Sequence, residues 1–235
     1  MKYRVLVVDD EPAVTEDLCL SIVWSDFGFH KPDVAFDGEE ALKMMDENKY
    51  HLIITDIRMP GISGLELLKE IQASNPGIKM LILSGYSEFT YASKAIQYGV
   101  KAYLLKPMDR EELISNLKKI RTELDRENNR KIETIEKQMK AREHFLYRLV
   151  CGIESEEDIR RNAAEFDLVL KDALYCVALC EIQDFYDMIA ADVKKARHII
   201  ASVRKKIEKL LLENHLRGYI YEDNEAKIGI ILCFD

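Results

Sequence analysis

Long apolar runs are missing from this chain. The run nearest the amino terminus, Val5–Val8, spans four residues and is followed at once by Asp9 and Asp10. That is too short for the core of a secretion signal, and no segment approaches the length of a membrane span. Cysteine is sparse: the five thiols, at Cys19, Cys151, Cys176, Cys180 and Cys233, are odd in number, scattered and without a C-x-x-C pair. Such usage excludes a disulfide framework and reads as reduced, mostly buried thiols in a cytosolic protein. The five histidines form no H-x-x-x-H pair, which argues against zinc. Excess positive charge is lacking too: 34 Lys and Arg face 42 Asp and Glu, a net −8, which argues against a chain built mainly to coat nucleic acid. The expectation is a cytoplasmic protein with no membrane partner.

What is present alternates between two periodicities. Short apolar runs at Tyr3–Val8, Asp33–Phe36, Leu52–Thr55, Lys79–Leu83 and Ala102–Leu105 carry buried-strand signals. Helical patterns lie between them, near residues 12–24, 38–47, 64–74 and 88–98, and a fifth starts at Asp109, with Glu111 and Glu112 in its first turn. Strands alternating with helices imply a doubly wound α/β domain around a five-stranded parallel sheet.

Gly and Pro vanish between residues 108 and 151, and charges of both signs crowd in. Apolar residues recur at Leu113, Leu117, Ile120, Leu124, Ile132, Ile135, Met139, Leu146 and Leu149, mostly in steps of three and four, as a coiled-coil seam requires. Passing from Leu124 to Ile132 through Asn128 makes a stutter. Residues 109–150 read as one long helix or two nearly continuous ones, and the narrow seam flanked by charges predicts a parallel homodimer.

A third region opens at Cys151-Gly152. Ser155 and Asp158 predict a capped helix start near residue 156. A strand over Ala173–Ile182, a long helix over Asp187–Leu216, and strands Gly218–Glu222 and Lys227–Phe234 around the turn Asp223-Asn224-Glu225 follow. The apolar last strand so near Asp235 suggests a domain cut short. The expected division is an α/β domain over residues 1–120, a helical coiled-coil linker over 121–150 and a partial α+β domain over 151–235.

Four features fall at the ends of predicted strands. Asp9 and Asp10, with Glu11, follow the first; Asp56 ends the third; Ser84 ends the fourth; Lys106 ends the fifth, beside Pro107. Ligand chemistry in such sheets gathers at the carboxyl ends of the strands. Three carboxylates in one pocket repel, and a cation relieves them. Mg2+ is a hard cation that prefers oxygen ligands, so Asp9, Asp10 and Asp56 form a natural site for it. A carboxylate can also attack phosphorus to give an aspartyl phosphate, with the metal and Lys106 neutralising the transferring group.

The segments VLVVDDEP, ITDIRMPGISGLELL, LILSGY and AYLLKP resemble the receiver domain of bacterial response regulators, over roughly residues 1–120. The resemblance implies a CheY-like fold with strand order 2-1-3-4-5. It implies that Asp56 is the phosphoacceptor and that Asp10 ligates Mg2+ directly, with Asp9 beside it. Arg58 would offer its backbone carbonyl to the metal, Ser84 and Lys106 would bind the phosphoryl group, and Tyr103 would be the aromatic switch residue. A cis Lys106–Pro107 bond is expected with it.

The segment EHFLYRLVCGIESEEDIRRNAAEFDLVL resembles the linker of YesN-type regulators. In that group a receiver, a long helix and a middle domain precede an AraC-type DNA-binding region. The implied function is a non-enzymatic transcription regulator, phosphorylated by a histidine kinase, whose DNA contacts lie outside these residues. The strand–helix–hairpin order also resembles the start of a nucleotidyl-cyclase-like fold, which gives an alternative: a regulator with a degenerate GGDEF-like output. The turn from Tyr221 to Lys227 lacks the two glycines that would let backbone approach a nucleotide.

Overall fold

The computed structural model describes residues 2–85, 89–170, 174–183, 185, 190–223 and 227–234; in the fourth helix the side chains of 89, 90 and 92 are not among them. The expected start of that helix at Glu88, the first residue of the expected strand at Ala173, residues 187–189 of the expected long helix and the turn residues Asn224 and Glu225 lie outside the described residues. The chain divides into two compact units, Met1–Arg130 and Lys131–Asp235.

In the first unit β1 (Val5–Val8), β2 (Asp33–Ala35), β3 (Leu52–Thr55), β4 (Lys79–Ser84) and β5 (Ala102–Leu105) form a parallel sheet in the order β2-β1-β3-β4-β5. Successive side chains of a strand point to opposite faces, so a sheet covered on both sides needs continuous apolar strands. Val5, Val7, Leu52, Ile54, Leu81 and Leu83 enter one core, together with Leu18 of α1 (Pro12–Ser21) and Leu113, Leu117, Ile120 and Leu124 of α5 (Arg110–Val150). Leu6, Val8, Ile53, Met80 and Ile82 enter the other, against α2 (Gly38–Glu47), α3 (Gly64–Ser74) and α4 (Phe89–Gln97).

Local chemistry fixes several helix starts. Pro12 occupies the first turn of α1, where its missing N–H costs nothing. Asp37 caps α2 by accepting from the Glu40 amide at 2.8 Å. Ser63 and Glu66 form a reciprocal capping box on α3. At α5, the Asp109 carboxylate accepts from the Glu111 amide at 2.8 Å.

One helix, α5, runs unbroken from Arg110 to Val150. Its apolar stripe is not one seam. Leu113, Leu117, Ile120 and Leu124 are spent on the receiver-type core. Leu146 is buried in a second core that Leu149 packs against. Only Ile132, Ile135 and Met139 of the expected seam stay exposed, at 46%, 55% and 49%. The expectation of a seam along the whole helix is therefore corrected: most of its stripe is covered by its own chain.

The second unit contains the rest of α5, α6 (Glu156–Glu165), β6 (Leu174–Cys180), α7 (Val193–Glu213), β7 (Arg217–Glu222) and β8 (Ile228–Phe234). Ser155 caps α6, accepting from the Asp158 amide at 3.1 Å. The three strands form an antiparallel sheet in the order β6-β8-β7. Tyr221 and Ile231 meet Phe145 and Leu146 of α5, while Ile220 and Ile228 meet Ala196 and Ile200 of α7. The long helix expected over Asp187–Leu216 is interrupted at Asp192: Ala190 and Ala191 are helical, Asp192 leaves helical geometry, and its side chain caps Val193–Glu213 through the Lys194 and Lys195 amides. The cysteines differ from expectation as well. All five are free, but none is buried, and Cys151 and Cys176 are exposed.

Candidate functional site

The carboxyl edge of the parallel sheet is extended by one rung beyond its strands. The Asp9 amide donates to the Ala35 carbonyl at 3.2 Å, the Asp56 amide to Val8 at 2.9 Å and the Lys106 amide to Ser84 at 2.9 Å. These main-chain bonds place Asp9, Asp56, Ser84 and Lys106 along one edge, whatever their separation in sequence. The Lys106–Pro107 peptide is cis.

At that edge Lys106 Nζ lies 2.7 Å from Asp9 Oδ2 and 3.4 Å from Asp56 Oδ2, with Glu11 Oε1 at 3.5 Å. Asp9 is 2% exposed, Asp56 7% and Ser84 0%. Asp56 Oδ1 accepts from the Ile57 amide at 2.7 Å, and Asp9 Oδ1 from the Glu11 amide at 3.0 Å. Both carboxylates are thus oriented by main chain on one oxygen and face the lysine with the other.

Burial pushes the Asp9 carboxyl above its ordinary value, and the charge of Asp56 adds to the rise; hydrogen bonds from Lys106 and the Glu11 amide oppose it without cancelling it. For Lys106, burial pulls the ammonium down, but the hydrogen bond to Asp9 and the charges of Asp56 and Asp9 outweigh it, and the net shift is upward.

Asp9, Asp10 and Asp56 each bring a carboxylate oxygen within 4.8 Å of the others. One ammonium cannot neutralise three carboxylates, so the cluster keeps a net negative charge. An all-oxygen donor set of this charge fits a hard divalent cation. A carboxylate held in such a pocket is also competent as a nucleophile toward phosphorus.

Every residue expected at the site from sequence is described, and the structure does not treat them alike. Asp9, Asp10, Asp56 and Lys106 come together. Ser84 closes β4, with its main chain bonded to Lys106. Tyr103 stands in β5 opposite Ile82 and packs, partly buried, on the α2–α4 side of the sheet. Arg58 turns its guanidinium to Tyr91, donating to the hydroxyl at 3.1 Å.

One residue that shapes the site escaped the sequence reading. A Cβ at Gly64 would lie 1.8 Å from the carbonyl oxygen of Asp56. Only a glycine lets the loop after Asp56 fold back so closely, with the Gly64 amide donating to Ile57 at 2.9 Å. The signal was present as a glycine directly after the N-cap Ser63.

A five-stranded parallel sheet in this order, with flanking helices and acids and a lysine at its carboxyl edge, is the receiver fold. Through residues 5–118 the chain belongs to the response regulator receiver domain family. It is similar to the uncharacterized transcriptional regulatory protein YesN of Bacillus subtilis (strain 168), with 39% identity over 132 residues, 56% of this chain and 36% of the relative. It is similar to the transcriptional regulatory protein HptR of Staphylococcus aureus (strain NCTC 8325 / PS 47), with 40% identity over 111 residues, 47% of this chain and 43% of the relative. Among solved structures, the REC domain of AraT, a response regulator from Geobacillus stearothermophilus, matches with a TM-score of 0.52 and 36% identity, covering 55% of this chain and 99% of that one. The chain spans well under half the length of these two transcriptional regulators. No helix among the described residues is long and apolar enough to cross a membrane.

Proposed function

We propose that this chain is the receiver and linker portion of a two-component response regulator, phosphorylated on Asp56 by a sensor histidine kinase. The observation that carries this reading is the meeting of Asp9, Asp10 and Asp56 within 4.8 Å, with Lys106 at 2.7 Å from Asp9 and 3.4 Å from Asp56. Asp9, Asp10, Asp56 and the Arg58 carbonyl would hold Mg2+, which supplies charge neutralisation to the transferring phosphoryl group. Asp56 acts as nucleophile through the oxygen not bonded to the Ile57 amide. Lys106 neutralises a phosphoryl oxygen, and Ser84 donates its hydroxyl to another. Tyr103 then reorients, and the surface of α4, β5 and α5 changes.

The output is transcription control through an AraC-type DNA-binding region outside this chain, as the transcriptional regulators YesN and HptR suggest. The working division is a receiver over residues 1–120, a linker over 121–150 and a middle domain over 151–235. The exposed Ile132, Ile135 and Met139 recur at heptad spacing and supply a short homodimer seam. The protein acts in the cytoplasm, where histidine kinases phosphorylate their partners.

The test is labelling by a small-molecule phosphodonor. Wild-type chain takes up one phosphoryl group in the presence of Mg2+ and loses labelling in EDTA, and Asp56→Asn takes up none. Stoichiometric labelling of Asp56→Asn would refute the assignment.

A further inference from the structure

A second concave feature opens beside the acidic pocket, on the far side of the loop that carries Ile57 and Arg58. A cleft of about 620 Å3 opens between the loop after β3, α3 and α4. Its lining mixes polar side chains with the apolar and aromatic Pro60, Leu65 and Tyr98. Its charged lining is mostly cationic: Arg58, Lys69 and Lys94 accompany a single acid, Glu66, among the described residues. That acid is already engaged, because Glu66 Oε2 accepts from the Ser63 amide at 2.9 Å and from the Ser63 hydroxyl at 2.6 Å as the α3 cap. Lys69 and Lys94 are exposed, and the Lys69 charge, after the Ser63 hydrogen bonds, helps hold the Glu66 carboxyl below its ordinary value. A cationic lining is unexpected on a chain of net charge −8, and it complements a partner of the opposite sign.

One wall is held in place. The Arg58 guanidinium lies 5.6 Å from the centre of the Tyr91 ring and donates to its hydroxyl at 3.1 Å, tying the loop after β3 to α4. A braced wall lowers the ordering cost of binding. The cleft is open rather than enclosed. Small-molecule sites bury most of their ligand, whereas an open groove lined by apolar and cationic side chains suits a peptide laid along it.

We propose that the α3–α4 cleft docks an acidic peptide segment of a partner protein. An apolar side chain of the peptide seats on Leu65 and Tyr98, and its carboxylates meet Lys69 and Lys94. This surface adjoins the phosphoacceptor pocket through Ile57 and Arg58, but the peptide contacts on Leu65, Tyr98, Lys69 and Lys94 do not require Asp56 to accept phosphate.

The experiment titrates the isotopically labelled full chain with a short synthetic peptide of Glu, Asp, Leu and Phe, and follows backbone amide resonances. A peptide with Gln and Asn in place of the acids, and inorganic phosphate, serve as comparison probes. The acidic peptide is expected to shift the amides around Lys69, Lys94 and Tyr98, with affinity falling as salt rises. In Lys69→Glu/Lys94→Glu, checked for native circular dichroism, affinity is expected to fall by about tenfold or more, as for loss and reversal of complementary charges. Tyr98→Ala is expected to weaken the acidic peptide while leaving its salt dependence in place. The proposal is overturned if the acidic peptide does not bind or shifts amides elsewhere, or if the doubly reversed chain binds it equally. It is also overturned if the neutral peptide binds as well, or if inorganic phosphate alone reproduces the shifts, which would make the cleft a simple anion site.

Discussion

The carbonyl of Gly28 accepts a 2.7 Å hydrogen bond from the guanidinium of Arg121, so α5 is fastened to the turn between α1 and β2. Gly28 holds φ +80°, and a Cβ there would lie 1.7 Å from Arg121 Nη1. The same arginine pairs with Asp125 at 2.6 Å, and Tyr3 donates to Asp125 at 2.8 Å. Gly28→Ala should therefore combine backbone strain with displacement of the guanidinium. A loss of about 1–3 kcal/mol is expected, read from urea unfolding. Arg121→Lys, which keeps charge but not the forked geometry, should lose less.

Gly64→Ala tests the loop behind the acidic pocket. The added methyl meets main chain at 1.8 Å, which no rotamer change relieves. The loop has to move, and with it the residues that follow Asp56. Phosphodonor labelling should fall steeply, while the far-ultraviolet spectrum stays that of a folded chain. Unchanged labelling would show that the close approach has no bearing on the site.

Alkaline pH offers a test of two buried hydroxyls. Burial, and then the hydrogen bond to Asp125, push Tyr3 up to about 12 from its ordinary value of 10. Burial and the bond to Asp33 push Tyr50 to about 12 as well. Both groups keep their protons longer when folded than when unfolded. Their contribution is thus fully present below pH 10 and is lost as pH rises through 12. Tyr3→Phe and Tyr50→Phe should each cost about 1 kcal/mol near neutrality through the lost hydrogen bond. Their stability should then fall less steeply than wild type between pH 10 and 12, as followed by urea midpoints.

The exposed trio on α5 predicts an oligomeric state. Ile132→Asp with Ile135→Asp places charge where a seam would bury apolar surface. Sedimentation equilibrium should give a dimer for wild type and a monomer for the variant, with the parallel-sheet unit still folded. An equal mass for both would place dimerisation, if any, elsewhere.

Much of the parallel-sheet unit was legible in the sequence. The bounds of β3, β5, α2 and α3 coincide with those read from apolar runs and helical patterns. The reason is physical: strands covered on both faces leave unbroken apolar text, and the structure adds the caps Asp37 and Ser63 that fix where α2 and α3 begin. The grouping of Asp9, Asp10, Asp56 and Lys106 was legible because strand ends of one sheet converge. What failed was the question of what covers an apolar stripe. Leu113 and Ile132 occupy the same kind of position in the sequence pattern, yet one is 0% exposed and the other 46%. Periodicity reports that a helix has an apolar side and is silent on its neighbour. Asp192 was read as one polar residue within a helix, where its side chain in fact starts the helix. Gly64 was passed over because its role is set by the main chain of Asp56, eight residues earlier, rather than by any pattern of its own.

The rungs that continue the sheet past its strands anchor the site through main chain rather than side chains. The Asp56 and Lys106 amides are held by the carbonyls of Val8 and Ser84, bonds that no exchange of neighbouring side chains can delete. Substitutions on the helix surfaces therefore leave these main-chain anchors, and the strand-end positions of Asp56 and Lys106, in place.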